Sequence, residues 1–418
     1  MPLATVRKRY RNKDKPNEKF MGFQCDYVDQ HGKRHAKLFS LERDAKAYLA
    51  KVAPEVRAGT HTPERQSITL AEAADLWLDH CQTVEKLVSA TITQYTNHVR
   101  RHIKPNIGNL KLSDLSAARI EKFKDDMLRV GTSRAMVVKV LVSTKAILKE
   151  AMRQGKVAQN VAIGVKPPKA KSGDRPKLKI GRDVPTKNEI RDILKAAEGS
   201  RWHAILATAA LAGLRSSELR GLMWSDVDLA QVTIHVQRRA DENNEMAPPK
   251  SEAGDRVIQV SSLLTNILER WKLVCPKGEL GLCFPTGIGT VESHANIANK
   301  AWYKFQVDLG IVKPATYEDG KPIMEPVLDE KGKPVIGANG KPEMRQSSRP
   351  KYGLHAARHF FASCMIEAGH LPKRLQEMMG HASLQMTYDR YGHLFPAGDG
   401  ERAKMESAAD FLHATKTA

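Results

Sequence analysis

The sequence predicts a multidomain chain: a small α+β unit, then an all-α unit, then a larger, mainly helical unit of mixed α/β type. Three observations lead there. At 418 residues the chain exceeds what one hydrophobic core usually supports. Its apolar pattern changes along the chain from strand-like alternation to helical spacing and then to a mixture of the two. The run PPKAKSGDRPKLKIGRD, 167–183, combines proline, glycine and basic residues with almost no apolar periodicity, so it reads as a linker. The expected divisions are 1–60, 66–163, a basic linker at 164–185, 186–398, and a tail at 399–418.

Charge bounds the partner before any motif is read. There are 67 Lys and Arg against 47 Asp and Glu, a formal net charge of +20. Such an excess favours polyanions through counterion release and electrostatic steering. A membrane role is disfavoured, because even the apolar run from Ile205 to Leu214 is short and broken by Thr208 and Gly213. The five cysteines have no paired spacing and the start lacks the apolar run of a signal peptide, which points to a reducing cytoplasm and, with the charge, to the nucleoid.

Residues 1–60 hold 14 Lys or Arg and 7 Asp or Glu. KFMGFQCDYV and DQHGKRHAKLF read as two strands around a turn at Gly32, and Ser40 is expected to cap a helix over 41–56. A sheet backed by one helix presents a charged strand face suited to a DNA groove, with Arg7, Lys8, Arg9 and Arg11 as candidate contacts. The competing picture is a basic tail packed loosely on the next unit.

The second unit opens at TLAE, where Thr69 and Glu72 form a capping-box pattern ahead of Ala73, Leu76 and Trp77. Further helices are expected near 90–103, 117–129 and 133–153, the last two from the spacings Ile120, Phe123, Met127 and Val137, Leu141, Thr144, Leu148. Arg100, Arg101, Lys104, Lys111 and Lys122 can grip phosphates there, and each reads equally well as a solvated helix charge. In the linker, Lys169 and Lys171 belong to a cationic strap able to follow a DNA backbone.

Thr186 and Glu189 form another capping box, opening a helix ahead of the most apolar helix of the chain, 202–212. QVTIHVQ from Gln231 and RVIQV at 256–260 alternate and are expected to pair, with a helix over 263–274 after them. Residues 311–350 carry three GKP repeats at Gly320, Gly332 and Gly340 and read as small surface hairpins. Met405, Ala409 and Leu412 offer one apolar helix face in the tail.

The chemistry gathers in three short stretches. GLRSSEL places Arg215 just after an apolar helix, beside Glu218. LHAARHF puts His355 one turn from Arg358 and His359. HASLQMTYDRYGH carries Tyr388 and Tyr391 after His381, and their i,i+3 spacing leaves open which phenol reacts. Zinc held by His355, His359, His381 and His393 is disfavoured, because Arg358 would set a fixed positive charge beside the metal. An anion suits the patch better, since two guanidinium groups offer paired donors to a phosphate and can stabilise a phosphoryl transition state. Asp226 and Asp228 in SDVD read as turn residues.

GLRSSEL, HAARH, MGHASLQMTYDRYGH and the order of units resemble the tyrosine recombinase family, specifically the phage-type integrases with an extra N-terminal domain. The likeness is strong over 66–396 and weaker over 1–60. It implies an arm-type DNA-binding domain, a SAM-like core-binding domain and a tyrosine-recombinase catalytic domain. It further implies Tyr391 as nucleophile, Arg215 and Arg358 as the phosphate clamp, Lys250 as the β-hairpin lysine that protonates the departing 5′ oxygen, His355 as a helper in proton movement, His381 as a phosphate ligand and Glu218 as a support. No cofactor is expected. Partners implied are double-stranded DNA at core-type and arm-type sites, three further copies in a tetramer, DNA-bending proteins and an excision factor. The rival readings are a type IB-like topoisomerase and a non-catalytic architectural DNA-binding protein. The stretch 311–350 is longer than is usual in the family.

Overall fold

The computed structural model describes residues 4–11, 20–29, 32–59, 61, 67–168, 177–317, 321–329, 333–337 and 341–395. The chain divides into two compact units, Met1–Asp174 and Arg175–Ala418.

In the first unit three antiparallel strands, β1 (Ala4–Tyr10), β2 (Phe20–Val28) and β3 (Arg34–Phe39), lie in the order β1-β2-β3, and α1 (Glu42–Arg57) packs against them. Cys25, Tyr27 and Val52 are buried at their junction, with Ala4 and Val6 against them. Two expectations change here. The two expected strands are joined by a third over Ala4–Tyr10, because Ala4 and Val6 alternate inward ahead of the exposed Arg7, Lys8 and Arg9. Ser40 does not cap α1; the extended residue before the helix is Leu41, which makes no side-chain cap.

A helical bundle follows: α2 (Leu70–Thr83), α3 (Ser89–His98), a π-helical segment running into α4 (Lys104–Ile107), α5 (Ala117–Arg129) and α6 (Arg134–Arg153). The Thr69 capping box forms: its N–H donates to Glu72 Oε2 at 2.7 Å, and the Glu72 N–H donates to Thr69 Oγ1 at 3.2 Å. Leu70, Trp77, Ile103, Ile120, Phe123 and Leu141 fill the core, which the helical spacing had marked on α5 and α6; on α2, Ala73 and Trp77 are buried but Leu76 is exposed.

The second unit is built around α8 (His203–Leu211), buried on almost every side. Around it come α7 (Lys187–Ala197), α9 (Ser216–Gly221), β4 (Val227–Asp228), β5 (Thr233–Val236), β6 (Arg239–Ala240), β7 (Met246–Ala247), β8 (Arg256–Gln259) and α10 (Ser262–Val274). β5 pairs with β8, as the alternation predicts, and β4 adds to the other edge of β5. β6 and β7 make a small hairpin inside the polar connection. Asp226 is buried ahead of β4, accepting from the Met223 N–H at 3.0 Å and Gln237 Nε2 at 2.8 Å, a structural turn residue.

Next come α11 (His294–Asn296), α12 (Tyr303–Asp308), β9 (Val312–Pro314), β10 (Met324–Pro326), β11 (Met344–Gln346) and β12 (Ser348–Pro350). β9 pairs with β12 and β10 with β11, so the described residues between 312 and 350 form a nested hairpin. It branches twice. Ala315, Ile323 and Ser347 pass backbone hydrogen bonds around a ring at 2.7–3.0 Å, and Val327, Val335 and Glu343 do so at 2.8 Å. Three chain segments meet at each ring, so the branch satisfies backbone groups that a simple hairpin would leave open. The three GKP glycines lie outside the described residues.

The unit closes with α13 (His355–Glu367), α14 (Pro372–Met379) and α15 (Leu384–Tyr391). Gly213, at φ +64° between α8 and α9, lies so close to α13 that a Cβ would sit 2.3 Å from Phe361 Cδ1. Gly369, at φ +84°, has open space in the same direction. Gly369→Ala is expected to cost about 1–2 kcal/mol of backbone strain, whereas Gly213→Ala adds about 1–3 kcal/mol of overpacking. Urea unfolding midpoints of the two variants measure the difference, and equal midpoints would contradict it.

Candidate active site

Arg215 sits where the chain leaves the apolar α8 and turns into α9. Its own N–H donates to Glu218 Oε2 at 2.8 Å, and its guanidinium donates through Nη1 to Glu218 Oε1 at 2.6 Å and through Nη2 to the Gly380 carbonyl at 2.7 Å. Arg358 projects from the first turns of α13 and is buried. Its Nη1 donates to the Gly213 carbonyl at 2.6 Å and its Nη2 to the Met379 carbonyl. Arg358 is thus aimed by two backbone carbonyls and Arg215 by one carbonyl and the Glu218 carboxylate, each guanidinium using two of its five N–H donors in these bonds.

Glu218 holds a second arginine that the sequence reading missed. Arg256, on β8, donates through Nη2 to Glu218 Oε2 at 2.9 Å, through Nε to the Met378 carbonyl at 2.8 Å and through Nη1 to the Gly254 carbonyl at 2.9 Å. The signal was present in the alternation of RVIQ: Arg256 falls in phase with the buried Ile258. Gly380, the left-handed residue ending α14 at φ +59°, makes room, since a Cβ would lie 2.8 Å from both Ala253 O and Arg256 Nη1. Burial pushes the Glu218 carboxyl up, but the Arg256 hydrogen bond and the charges of Arg256, Arg215 and Arg358 prevail and hold it at about 2. Burial first, and then the Arg215 charge, bring Arg358 down to about 9, which leaves it cationic at neutral pH.

The two phenols separate clearly. Tyr391, the last residue of α15, is 1% exposed, whereas Tyr388 is 46% exposed and its ring leans on Phe395. The Tyr391 hydroxyl lies 2.7 Å from His359 Nδ1, and its ring stacks on His381 at 9° between planes and 6.3 Å between centroids. Burial raises the phenol to about 12, against the pull of Arg358, Arg390 and Arg215. His381 is buried, with Nδ1 2.9 Å from Thr387 Oγ1, and desolvation followed by the charges of Arg358 and Arg215 lowers it to about 4. His355 keeps an exposed edge and meets His359 ring to ring at 4.7 Å. Desolvation within the cleft and the charges of Arg358, Arg390 and Arg215 lower it to about 4.

The structure therefore gathers Arg215, Glu218, Arg358, His381 and Tyr391, with His355 at the rim. Lys250 lies apart from the buried cluster, exposed in the loop after β7. His393, weighed above as a metal ligand, instead bonds to the Leu178 carbonyl at 2.7 Å. In the first unit Arg7, Lys8, Arg9 and Arg11 are exposed, with Arg7 paired to Asp26 at 2.9 Å and Arg9 to Gln24. Arg100 and Arg101 are exposed as well, and Lys104 is held by Asp75 at 2.7 Å. Lys169, Lys171 and the 399–418 tail lie outside the described residues.

Residues 184–397, more than half of the chain, match the model of the phage integrase family, and 69–128 match the N-terminal SAM-like domain of phage integrases. A tyrosine recombinase XerC-like protein of Caldanaerobacter subterraneus subsp. tengcongensis is 24% identical over 379 residues, covering 88% of this chain and 90% of that protein. The fold is similar to that of the Tn1549 transposon integrase solved with transposon right end DNA, at TM-score 0.58 and 18% identity over 82% of this chain and all of that one. It is also similar to a lambda integrase tetramer solved on a Holliday junction, at TM-score 0.51 and 16% identity over 89% and 92% of the two chains. A helical fold that turns two arginines and a buried tyrosine toward one cleft is that of the tyrosine recombinase class. The chain belongs to the phage integrase family, enzymes that cut and rejoin DNA.

The Glu218 carboxyl lies well below its ordinary value of 4.5, so it stabilises the fold fully above that pH and loses the contribution as pH falls toward 2. Relative to Glu218→Gln, wild type is expected to lose roughly 3 kcal/mol across that window. Chemical denaturation at pH 6, 4 and 2.5 measures it. A constant difference between the two proteins would show that the carboxylate is not the charged partner.

Proposed function

We propose that this chain is a site-specific integrase that cuts duplex DNA through a 3′-phosphotyrosyl intermediate on Tyr391 and rejoins it to a partner duplex, moving a prophage or genomic island. The observation that carries this is the burial of the Tyr391 phenol against Arg358 and His381, beside donors of Arg215 and Arg358 that their carbonyl anchors leave unspent. In the reaction the phenolic oxygen forms a bond to the scissile phosphorus, and the bond to the 5′ oxygen breaks. Arg215 and Arg358 hold the non-bridging oxygens through paired N–H donors, which a transition state with extra charge on those oxygens rewards more than the ground state. His381 adds a donor to the same phosphate. Lys250 protonates the departing oxygen once its loop folds over the DNA; its exposed position suits a group that docks with substrate. The energy of the broken ester is kept in the phosphotyrosine, and a 5′ hydroxyl from a second duplex reverses the step.

In this reading residues 1–60 bind arm-type sites through the basic face of β1, residues 66–163 bind the core site, 164–185 follow the backbone between, and 186–398 carry the chemistry. Exchange of two duplexes requires four sites, so the working form is a tetramer on DNA, in keeping with the lambda integrase assembly. DNA-bending proteins and an excision factor would set its direction, at the nucleoid.

Incubating the full chain with nicked duplexes spanning its element's junctions is expected to yield a denaturation-resistant adduct. Tyr391→Phe should abolish the adduct and Tyr388→Phe should retain it; the reverse pattern would overturn the nucleophile. Joined products from two duplexes separate recombination from the relaxation of a topoisomerase. Arg215→Lys and Arg358→Lys keep a charge but lose the forked donors, so single-turnover cleavage should fall by about 100-fold or more at saturating protein. Unchanged rates would remove the clamp assignment.

A further inference from the structure

The resemblance casts His355 as the group that assists the Tyr391 proton, yet the phenol does not meet His355. We infer that His359 is the catalytic base of this site, taking the Tyr391 phenolic proton on Nδ1 as the oxygen attacks and returning it when the strand is rejoined. The inference rests on the integrase reading above.

Four observations support it. His359 Nδ1 is 2.7 Å from the phenolic oxygen, a short hydrogen bond to the reacting atom. His359 is itself buried, so this proton path is closed to bulk water. α13 fixes the geometry, because Arg358 immediately before is anchored by two carbonyls and the backbone at 359 cannot turn without releasing them. His355, one turn earlier, touches only the edge of the His359 ring, at 4.7 Å between centroids.

The two contacts of the ring differ in kind. The phenol at 2.7 Å is compatible with either tautomer, because a hydroxyl both donates and accepts, whereas Arg390 Nη2 can only donate and stands 3.4 Å from Nε2, a long contact that opposes a hydrogen there. The role inferred for His359 requires the tautomer in which Nδ1 accepts from the phenol and Nε2 carries the hydrogen. Desolvation, and then the charges facing the ring (His355, Arg390, Arg358 and His381), hold it neutral at about 3. A neutral imidazole beside a phenol at about 12 does not ionise it in advance. Transfer accompanies attack: as the oxygen bonds to phosphorus its proton becomes acidic, and the anionic phosphate now beside the ring stabilises the imidazolium. The balance is complete. The O–H bond breaks, Nδ1–H and O–P bonds form, and the electron pair of the P–O5′ bond leaves with the 5′ oxygen, which Lys250 protonates.

Two measurements on the full chain test this. The first needs no DNA: nitrogen-15 histidine NMR of wild type and Tyr391→Phe at pH 7 is expected to show His359 Nδ1 unprotonated and shifted by loss of the phenol. A protonated Nδ1 would overturn the inference. The second is single-turnover cleavage of the duplex that wild type attacks, made also with a 5′-bridging sulfur, a leaving group that needs no acid. Sulfur should restore Lys250→Ala by 100-fold or more and leave His359→Ala and His359→Asn equally slow. Both His359 variants should speed up about tenfold per pH unit between 6 and 9, where wild type stays nearly flat. Recovery by Asn, whose amide holds the phenol without accepting a proton, would reduce His359 to a positioning residue, and a larger defect in His355→Ala would return the role to His355. If wild type forms no adduct on any junction, the integrase reading fails, and the NMR result still decides whether Nδ1 accepts from Tyr391.

Discussion

The site depends on one carboxylate. Glu218 is buried and meets Arg215 and Arg256 on its two oxygens, within the field of Arg358. Like charges brought this close repel strongly: a unit pair 4 Å apart interacts by ~4 kcal/mol at an effective dielectric near 20. A lone carboxylate cannot neutralise three guanidinium groups, so the unliganded pocket keeps a positive excess. In the proposed reaction that excess would be the means of function, an incoming phosphate completing the charge balance that Glu218 only begins. Folding and substrate binding thus draw on the same imbalance, which sets a limit on how far the empty site can be stabilised without weakening its hold on DNA.

Carbonyls do the aiming. Gly213, Met379 and Gly380 each give an oxygen to an arginine of the clamp, and two of these residues are glycines at positive φ in close quarters. The chain spends its conformational freedom where a side chain would both strain the backbone and fill the space needed by Phe361 or Arg256. Three separate stretches, near 215, 256 and 380, are thereby tied to one another through arginine forks, so the clamp geometry is a property of the domain packing and not of any one loop.

Sequence reasoning reached the elements whose signal is local. Capping boxes at Thr69 and Thr186, the helical spacings of α5 and α6 and the alternation within β5 and within β8 all depend on neighbours a few residues apart. β1 was hidden because only Ala4 and Val6 mark its inner face before a run of charges. Arg256 was hidden for a related reason: a charged residue in a strand reads as solvent-facing, and only its phase with Ile258 argues otherwise. Tyr388 and Tyr391 could not be ranked by spacing at all. Their difference arises because α15 ends at Tyr391, which turns its ring inward against His381 and the apolar side of α13 and α14, while Tyr388 stays at the surface.

The surroundings of Tyr391 divide their labour by kind of charge. Arginine keeps its proton throughout, so Arg215 and Arg358 supply a field that does not vary with the reaction. That same field, together with burial, holds His355, His359 and His381 neutral. Neutral imidazoles can take or give a proton, and fixed cations cannot. In the proposed reaction, a phenol otherwise too weak to attack would be met by groups that hold the phosphate without moving protons and by groups able to move a proton once the phosphate has arrived. The proposed reaction would couple the two, since the anion held by the arginines is also what would make a protonated histidine tolerable beside them.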